Sequence, residues 1–441
     1  MEAVRPEKIV KRLCTAGFPA YYVGGCVRDR LLGRPVHDWD VTTAALPEEV
    51  MALFARCVPT GIRHGTVTVF LDGAQAEVTT FRTEGVYLDG RHPSEVRFVR
   101  TLAEDLSRRD FTINAMAMDA DGNVTDLFGG RDDLARRCIR CVGDPEKRFR
   151  EDALRMLRAI RFSAQLGYEI DEETKQGIRR LAPTLKNISA ERIQTELVKM
   201  LVSPHPDYLR TAYDMGVTKV FFPEFDRAME TEQHHPHHMY SVGEHILHSL
   251  AYVPADKVLR LTMLLHDIGK PDTLTIDEQG ITHFYNHESL SAEMAKGILR
   301  RLKFDNDTIN MVYKLVMYHD YGNSVEPTLQ IVRRAMNKIG EDAFPALFQV
   351  KYADMMAQSD YLRDEKLKRL ENWKRLYTEI CEKEQCVSLK TLAVTGSDLI
   401  AAGMKPGKEL GEVLQKLLQL VLDDPSCNTK DKLLAEAQRL Q

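Results

Sequence analysis

Long apolar runs are missing from this 441-residue chain, and none approaches the roughly 18 uninterrupted apolar residues that a membrane-spanning helix needs. A positive balance is missing too. Sixty Lys+Arg against 65 Asp+Glu leave a formal net charge of -5, so no global field draws in a polyanion and any nucleic-acid contact must rest on a local patch. Clustered cysteines are also lacking. The eight cysteines are spread over the whole length, which excludes a disulfide framework. With Cys138/Cys141 and Cys381/Cys386 as distant pairs, a four-thiolate zinc site is not expected. There is no internal repeat and no long low-complexity tract. Met1 to Leu13 mixes Glu2, Arg5, Glu7, Lys8, Lys11 and Arg12 with apolar residues and lacks the hydrophobic block of a signal peptide, so the expected location is cytoplasmic.

What is present is ordinary globular composition, 44% hydrophobic and 28% charged, in a length that predicts two to four folded units. Short β-branched runs, Val67 to Phe70 and Ala76 to Phe81, flank the turn signal Asp72-Gly73, so residues 1–135 read as a mixed α/β unit. From Arg136 onward the pattern is helical apart from short strand-like pieces near Ile139 and Ile276. The fold class expected is therefore α+β. Pro204-His205-Pro206, Phe221-Phe222-Pro223 and a histidine cluster suggest a boundary between 203 and 235, and a rise in Lys and Glu after Asp360 suggests another. The division expected is 1–135, 136–203, 204–360 and 361–441.

The most informative stretch is Val23-Gly24-Gly25-Cys26-Val27-Arg28-Asp29, followed by His37-Asp38-Trp39-Asp40-Val41-Thr42. An apolar run entering two glycines and then a helix carrying Arg28 leaves backbone N–H groups open to a triphosphate. Strand periodicity points Asp38, Asp40 and Thr42 to one face and Trp39 and Val41 to the other. Adjacent carboxylates repel unless a divalent cation lies between them. A glycine turn before an Asp-x-Asp strand is what nucleotidyl transfer needs, one element for the phosphates and one for Mg²⁺. Glu77 reads equally as a third acidic group or as a surface-strand residue.

Five motifs occur in order: Gly24-Gly25-x-Val27-Arg28-Asp29, Asp38-x-Asp40, Arg108-Arg109-Asp110-Phe111-Thr112-Ile113-Asn114-Ala115, Asp126-Leu127-Phe128-Gly129-Gly130 and Glu151-Asp152-x-x-Arg155-x-x-Arg158. Together they resemble the bacterial class II CCA-adding tRNA nucleotidyltransferases and their poly(A) polymerase relatives, in the DNA polymerase β superfamily. The likeness covers roughly residues 18–200 and, more loosely, Gly403-Met404-Lys405-Pro406-Gly407-x-x-Leu410-Gly411. It implies a polymerase-β-like head over 1–135, a helical neck over 136–203, and a helical tail that grips tRNA. It also implies that Asp38 and Asp40 bind two Mg²⁺ ions and act as the catalytic residues, with CTP and ATP as substrates. Nucleotide contacts are implied for Gly24, Gly25, Arg28, Arg109, Asp110, Asn114, Asp152, Arg155 and Arg158.

Glu151 to Phe162 reads as one helix, with Ala153, Leu157, Ile160 and Ala164 along a stripe and Asp152, Arg155 and Arg158 offset from it. Cytosine and adenine present an amine donor beside a ring-nitrogen acceptor, whereas uracil and guanine present a carbonyl beside a ring N–H. Asp152 supplies an acceptor and Arg155 a donor for the first pair, and the resembled family gives the matching residues this role. Lys147, Arg148, Arg150, Arg155, Arg158 and Arg161 form the basic patch that the overall charge requires. The segment Arg82 to Ser107, including Tyr87 to Pro93, has the length that the family associates with switching from CTP to ATP.

A second constellation comprises His234, His235, His237, His238, His245 and His248, then His266-Asp267-Ile268-Gly269-Lys270, then His287, His319 and Asp354. Adjacent His-Asp at the end of an apolar helix suits a divalent ion. This resembles the HD phosphohydrolase domain, here within about 235–360, and the resemblance assigns a divalent transition metal to His245, His266, Asp267 and Asp354. His287 and His319 complete that shell or hold a second metal, and His234 to His238 are read as ordinary core or surface residues. The expected activity is addition of CMP, CMP and AMP to tRNA, with an HD phosphohydrolase activity as a secondary one. An A-adding enzyme or poly(A) polymerase is the nearest alternative. A phosphohydrolase with a nucleotide-sensing head is an alternative of another class. No membrane partner is expected, and oligomeric state is not legible.

Overall fold

The β-branched runs of the N-terminal third assemble into one mixed sheet. In the computed structural model, which describes residues 4–84 and 96–440, the strands are β1 (Ala20–Val23), β2 (Asp40–Thr43), β3 (Cys57–Gly61), β4 (Thr66–Leu71), β5 (Ala74–Thr80), β6 (Arg82–Glu84), β7 (Val96–Phe98), β8 (Met116–Met118) and β9 (Val124–Asp126). Seven of them form a sheet of order β3-β4-β5-β2-β1-β8-β9, and β6 pairs with β7 separately. Among the described strands of that seven-stranded sheet only β2 and β5 run parallel; every other neighbouring pair in it is antiparallel. The β4–β5 turn is the Asp72-Gly73 pair, whose φ values of 48° and 80° suit a two-residue hairpin. Along β5, Ala76, Val78 and Thr80 are buried while Gln75 and Glu77 are exposed, and the register sets Glu77 opposite Asp40.

The chain divides into two compact units, Met1–Pro223 and Glu224–Gln441. In the first, the sheet is followed by the short parallel pair β10 (Cys138–Ile139) and β11 (Glu169–Ile170) and by helices Pro145–Glu151, Leu154–Leu166, Glu172–Leu181 and Ala190–Leu201. The single helix expected over Glu151 to Phe162 is in fact two. Asp152 adopts an extended backbone, φ -148° and ψ 105°, and its carboxylate accepts the Leu154 N–H at 3.1 Å. An Asp that bonds the backbone two residues on stops one helix and caps the next. Leu157, Ile160 and Ala164 are then buried as the stripe demanded, where Leu154–Leu166 packs on Ala190–Leu201. Full burial of an Ile or Leu side chain contributes about 2 kcal/mol.

The second unit is helical apart from the hairpin β12 (Leu274–Ile276) and β13 (Thr282–Phe284). Helices Val242–Leu250, Lys257–Leu265, His287–Arg301, Asn306–Tyr318 and Phe344–Ala357 bring their histidines and carboxylates to one point. One apolar core runs through Leu315, Phe344, Trp373, Leu417, Val421 and Leu433, crossing the composition shift at Asp360. All eight cysteines are free. Among the described residues no helix is long and apolar enough to cross a membrane.

Candidate active site and a second candidate metal centre

Trp39 and Val41 are buried at 3% and 1% exposure, which leaves Asp38, just before β2, exposed and Asp40, its first residue, half-buried. Burial, with the Glu77 and Asp38 carboxylates beside it, pushes the Asp40 carboxyl up to about 6 against the pull of Arg109. Three acids therefore share one locality. Gly24 sits over them with φ 76°, and a Cβ there would lie 3.2 Å from Arg109 Nη1 and 3.5 Å from Asp40 Oδ2. Only glycine gives both that backbone conformation and that open edge. Thr42 shares the face but is fully buried: its hydroxyl lies 3.2 Å from Asp105 Oδ2. Of the three residues on that face Thr42 is thus covered, by the Leu102–Ser107 helix that carries Asp105.

Asp105 is the residue the sequence reading missed. Wholly buried, it accepts from Arg108 Nε and Nη2 at 3.0 and 2.9 Å, from Arg109 Nη2 at 3.3 Å and from the Arg82 N–H at 3.3 Å. It fixes Arg109, which touches the Gly24 edge. Arg28 Nη1 donates to Asn114 Oδ1 at 2.8 Å, and Asn114 Nδ2 donates to Asp110 Oδ1 at 3.3 Å. Arg158 holds Asp110 Oδ2 through Nε at 2.8 Å and Nη2 at 2.5 Å. Burial alone would push Asp110 up, but Arg158 and Arg155 hold it down, to about 2. Three guanidinium groups, Arg28, Arg158 and Arg161, lie 5.2, 5.3 and 3.9 Å from the Phe162 ring centre. That aromatic hub is a second feature the sequence did not disclose.

Asp152 and Arg155 both carry protein partners. Arg192 Nη2 donates to Asp152 Oδ2 at 2.6 Å, and Arg155 Nη1 donates to Glu151 Oε2 at 2.7 Å while its Nη2 reaches the Arg108 carbonyl at 3.1 Å. The basic patch is correspondingly smaller than its residue count. Arg155 and Arg161 are buried at 8% and 7% exposure, Arg161 paired with Glu196 at 2.5 Å, and Arg148 is paired with Glu151. Arg150 stays exposed. The Tyr87 to Pro93 segment lies outside the described residues.

In the second unit, His245 Nε2 lies 3.1 Å from His266 Nε2, 3.0 Å from Asp354 Oδ1 and 3.4 Å from Asp267 Oδ2. All four residues are at most 4% exposed, a donor set of two imidazoles and two carboxylates that suits a divalent transition ion. His266 and Lys270 hold Asp267 well below the usual carboxylate range, overcoming its burial. Lys270 Nζ is 2.7 Å from Asp267 Oδ2. Neither Asp267 oxygen, though buried, makes a hydrogen bond of good geometry. Gly269 lets this loop seat tightly, since a Cβ there would lie 2.8 Å from the Ser291 nitrogen. His235, His237 and His238, read from sequence as ordinary residues, line the adjoining cavity of about 190 Å³ with Lys270 and His283. Tandem histidines in a loop carry no period that could have revealed this.

Comparison with known proteins places these geometries in context. The sequence matches three family models, the poly A polymerase head domain over residues 20–140, the RNA and SrmB-binding site of polymerase A over 167–229, and tRNA nucleotidyltransferase domain 2 over 273–437. A CCA-adding enzyme of Lactobacillus helveticus is 38% identical over 433 residues, 98% of this chain and 95% of that protein. One from Levilactobacillus brevis is 38% identical over 440 residues, covering 98% and 96%. The Bacillus stearothermophilus CCA-adding enzyme, solved in complex with CTP, superposes with a TM-score of 0.75 at 31% identity over 98% of this chain and 96% of that one. The Thermotoga maritima enzyme complexed with tRNA shares the fold at TM-score 0.60 and 22% identity, covering 99% and 96%.

Proposed function

The chain belongs to the family of CCA-adding enzymes, and from that premise we propose that it adds CMP, CMP and AMP, from CTP and ATP, to the 3′ end of tRNA without a nucleic-acid template, releasing pyrophosphate. The observation that carries this reading is the grouping of Asp38, Asp40 and Glu77 beside Gly24, with the Asp40 carboxyl held up by burial and then by its acidic neighbours. Such a group fits divalent cations and little else. Mg²⁺ held by Asp38 and Asp40 would activate the RNA 3′-hydroxyl and steady the departing pyrophosphate. Gly24, Gly25 and Arg28 face the triphosphate in this proposal, and Arg109, Asp110 and Asn114 contact the ribose.

Asp152 and Arg155 read the base, as hydrogen-bond acceptor and donor, and Arg158 fixes Asp110 beside them. Their ion pairs with Arg192 and Glu151 hold both groups oriented and desolvated until a pairing edge competes for them. The four-part division into head, neck, HD-type body and tail, and a cytoplasmic location, belong to the same proposal. Product sequencing tests it: tRNA ending at the discriminator base, incubated with all four NTPs, should acquire CCA. Asp38→Ala should leave the tRNA unextended. Extension by A alone would assign the adenylyl-only alternative instead.

The buried His245, His266, Asp267 and Asp354 cluster favours a second, separate reading for the other unit. It binds a divalent transition metal, and the cavity lined by Lys270, His235 and His283 takes a phosphate ester for hydrolysis. Hydrolysis of a phosphate monoester that is lost on chelation, and retained in Asp38→Ala, is the expected result.

A further inference from the structure

Resting on the reading of Arg109 as a ribose contact, we propose that Asp105 is the positioning residue through which the active site prefers ribonucleotides to deoxyribonucleotides. Wholly buried, Asp105 is out of a nucleotide's reach and acts on Arg109 instead. Both of its oxygens are occupied. Oδ1 accepts from Arg108 Nε at 3.0 Å, from Arg108 Nη2 at 2.9 Å and from the Arg82 N–H at 3.3 Å. Oδ2 accepts from Arg109 Nη2 at 3.3 Å and lies 3.2 Å from the Thr42 hydroxyl. Thr42 stands two residues after Asp40 on β2, so this link fastens Arg109 to the strand that carries the Asp40 carboxylate.

The three nitrogens of the Arg109 guanidinium have different surroundings. Nη2 is held by Asp105. Nη1 faces the Gly24 edge, where an added Cβ would lie 3.2 Å from it and 3.5 Å from Asp40 Oδ2. Nε is buried and has no hydrogen-bond partner among the described residues. A guanidinium only donates, so these unmatched N–H groups call for acceptors, and a sugar hydroxyl is one. A site that hydrogen-bonds a substrate hydroxyl rejects the analogue lacking it, because its own polar groups are then left unpaired. That penalty holds only if the donor stays where it is. An untethered arginine side chain has many rotamers, and it would turn out to solvent when a deoxyribose came in, regaining water and erasing the difference. Asp105 removes that escape. Burial would push its carboxyl up, but Arg108 and Arg109 hold it below the ordinary carboxylate value, so the anchor is an anion at neutral pH.

The test measures kcat/KM for ATP and dATP on tRNA ending in CC, with the full chain. Their ratio belongs to the folded molecules alone, so partial unfolding of a variant leaves it unmoved. The wild type should prefer ATP, and the isosteric Asp105→Asn should cut that preference about 10- to 100-fold, the range of a hydrogen bond to a charged group. In an Arg109→Ala background the same change should cut it no further. Arg109→Lys keeps the charge but has one nitrogen, which cannot hold Asp105 and face the sugar together. It should lose the preference as Arg109→Ala does, and it decides the matter even if Asp105→Asn does not fold. Full preference in Asp105→Asn or Arg109→Lys beside a loss in Arg109→Ala, or a further cut in the Arg109→Ala background, would overturn the proposal and leave the ribose reading intact. Full preference in Arg109→Ala, or none in the wild type, would overturn both. A wild type that leaves the tRNA unextended would overturn the transfer reading beneath them.

Discussion

Asp40→Asn should make the metal-free protein more stable while abolishing nucleotide transfer. The carboxyl is raised from 3.8 to about 6, first by burial and then by Glu77 and Asp38. At about 1.4 kcal/mol per pH unit, ionising it in the folded state costs at most about 3 kcal/mol at neutral pH. Asn keeps the shape and removes the charge. The sign follows from the raised value: the wild-type advantage is complete below the unfolded pKa near 3.8 and is lost as pH rises through about 6. The variant should therefore gain most at pH 8, less near pH 5, and show little difference near pH 3. For a unit of this size, about 3 kcal/mol corresponds to about 6 to 12 °C in Tm, within reach of calorimetry on chelated protein. Mg²⁺ should raise the Tm of the wild type more than that of the variant. A variant no more stable at pH 8, or a gain that does not change with pH, would refute the account of repelling acids.

Asp152→Ala and Arg155→Ala should relax the choice of CTP and ATP over UTP and GTP more than they slow transfer, at roughly 1 to 3 kcal/mol per lost contact. Competition assays with all four labelled NTPs decide this, and full retention of preference in both variants would end the base-reading idea. Arg158→Ala strands the buried Asp110 carboxylate, and breaking such a pair costs about 3 to 5 kcal/mol, measurable by urea unfolding. Unchanged stability would mean that Asp110 has another counter-ion.

Local periodicity carried much of this protein's outline into its sequence. The Asp72-Gly73 hairpin and the inward Trp39 and Val41 follow from period-two alternation between neighbours. The strand pieces near Ile139 and Ile276 are present as short pairs. Asp105 was illegible because one acid in a short helix looks like surface until its burial against Arg108, Arg109 and Thr42 is seen. Arg192, 40 residues from Asp152, was illegible for the same reason. The break at Asp152 escaped because the apolar stripe runs on across it, and only the cap to Leu154 marks the interruption. His245 and Asp354, 109 positions apart, share no local pattern. Resemblance supplied that pair where periodicity could not.

The carbonyls of Met263 and Val316, 2.8 Å from His266 Nδ1 and 2.7 Å from His319 Nδ1, sit in the last turns of helices Lys257–Leu265 and Asn306–Tyr318. Every helix leaves such carbonyls without an internal donor. Here the imidazole of the histidine following each helix donates to one, so a bond that helps to finish the helix also orients the ring. The orientation of both rings is thus inherited from secondary structure. Reloading after chelation should need no refolding, and a frayed helix end would weaken metal affinity even with every ligand intact.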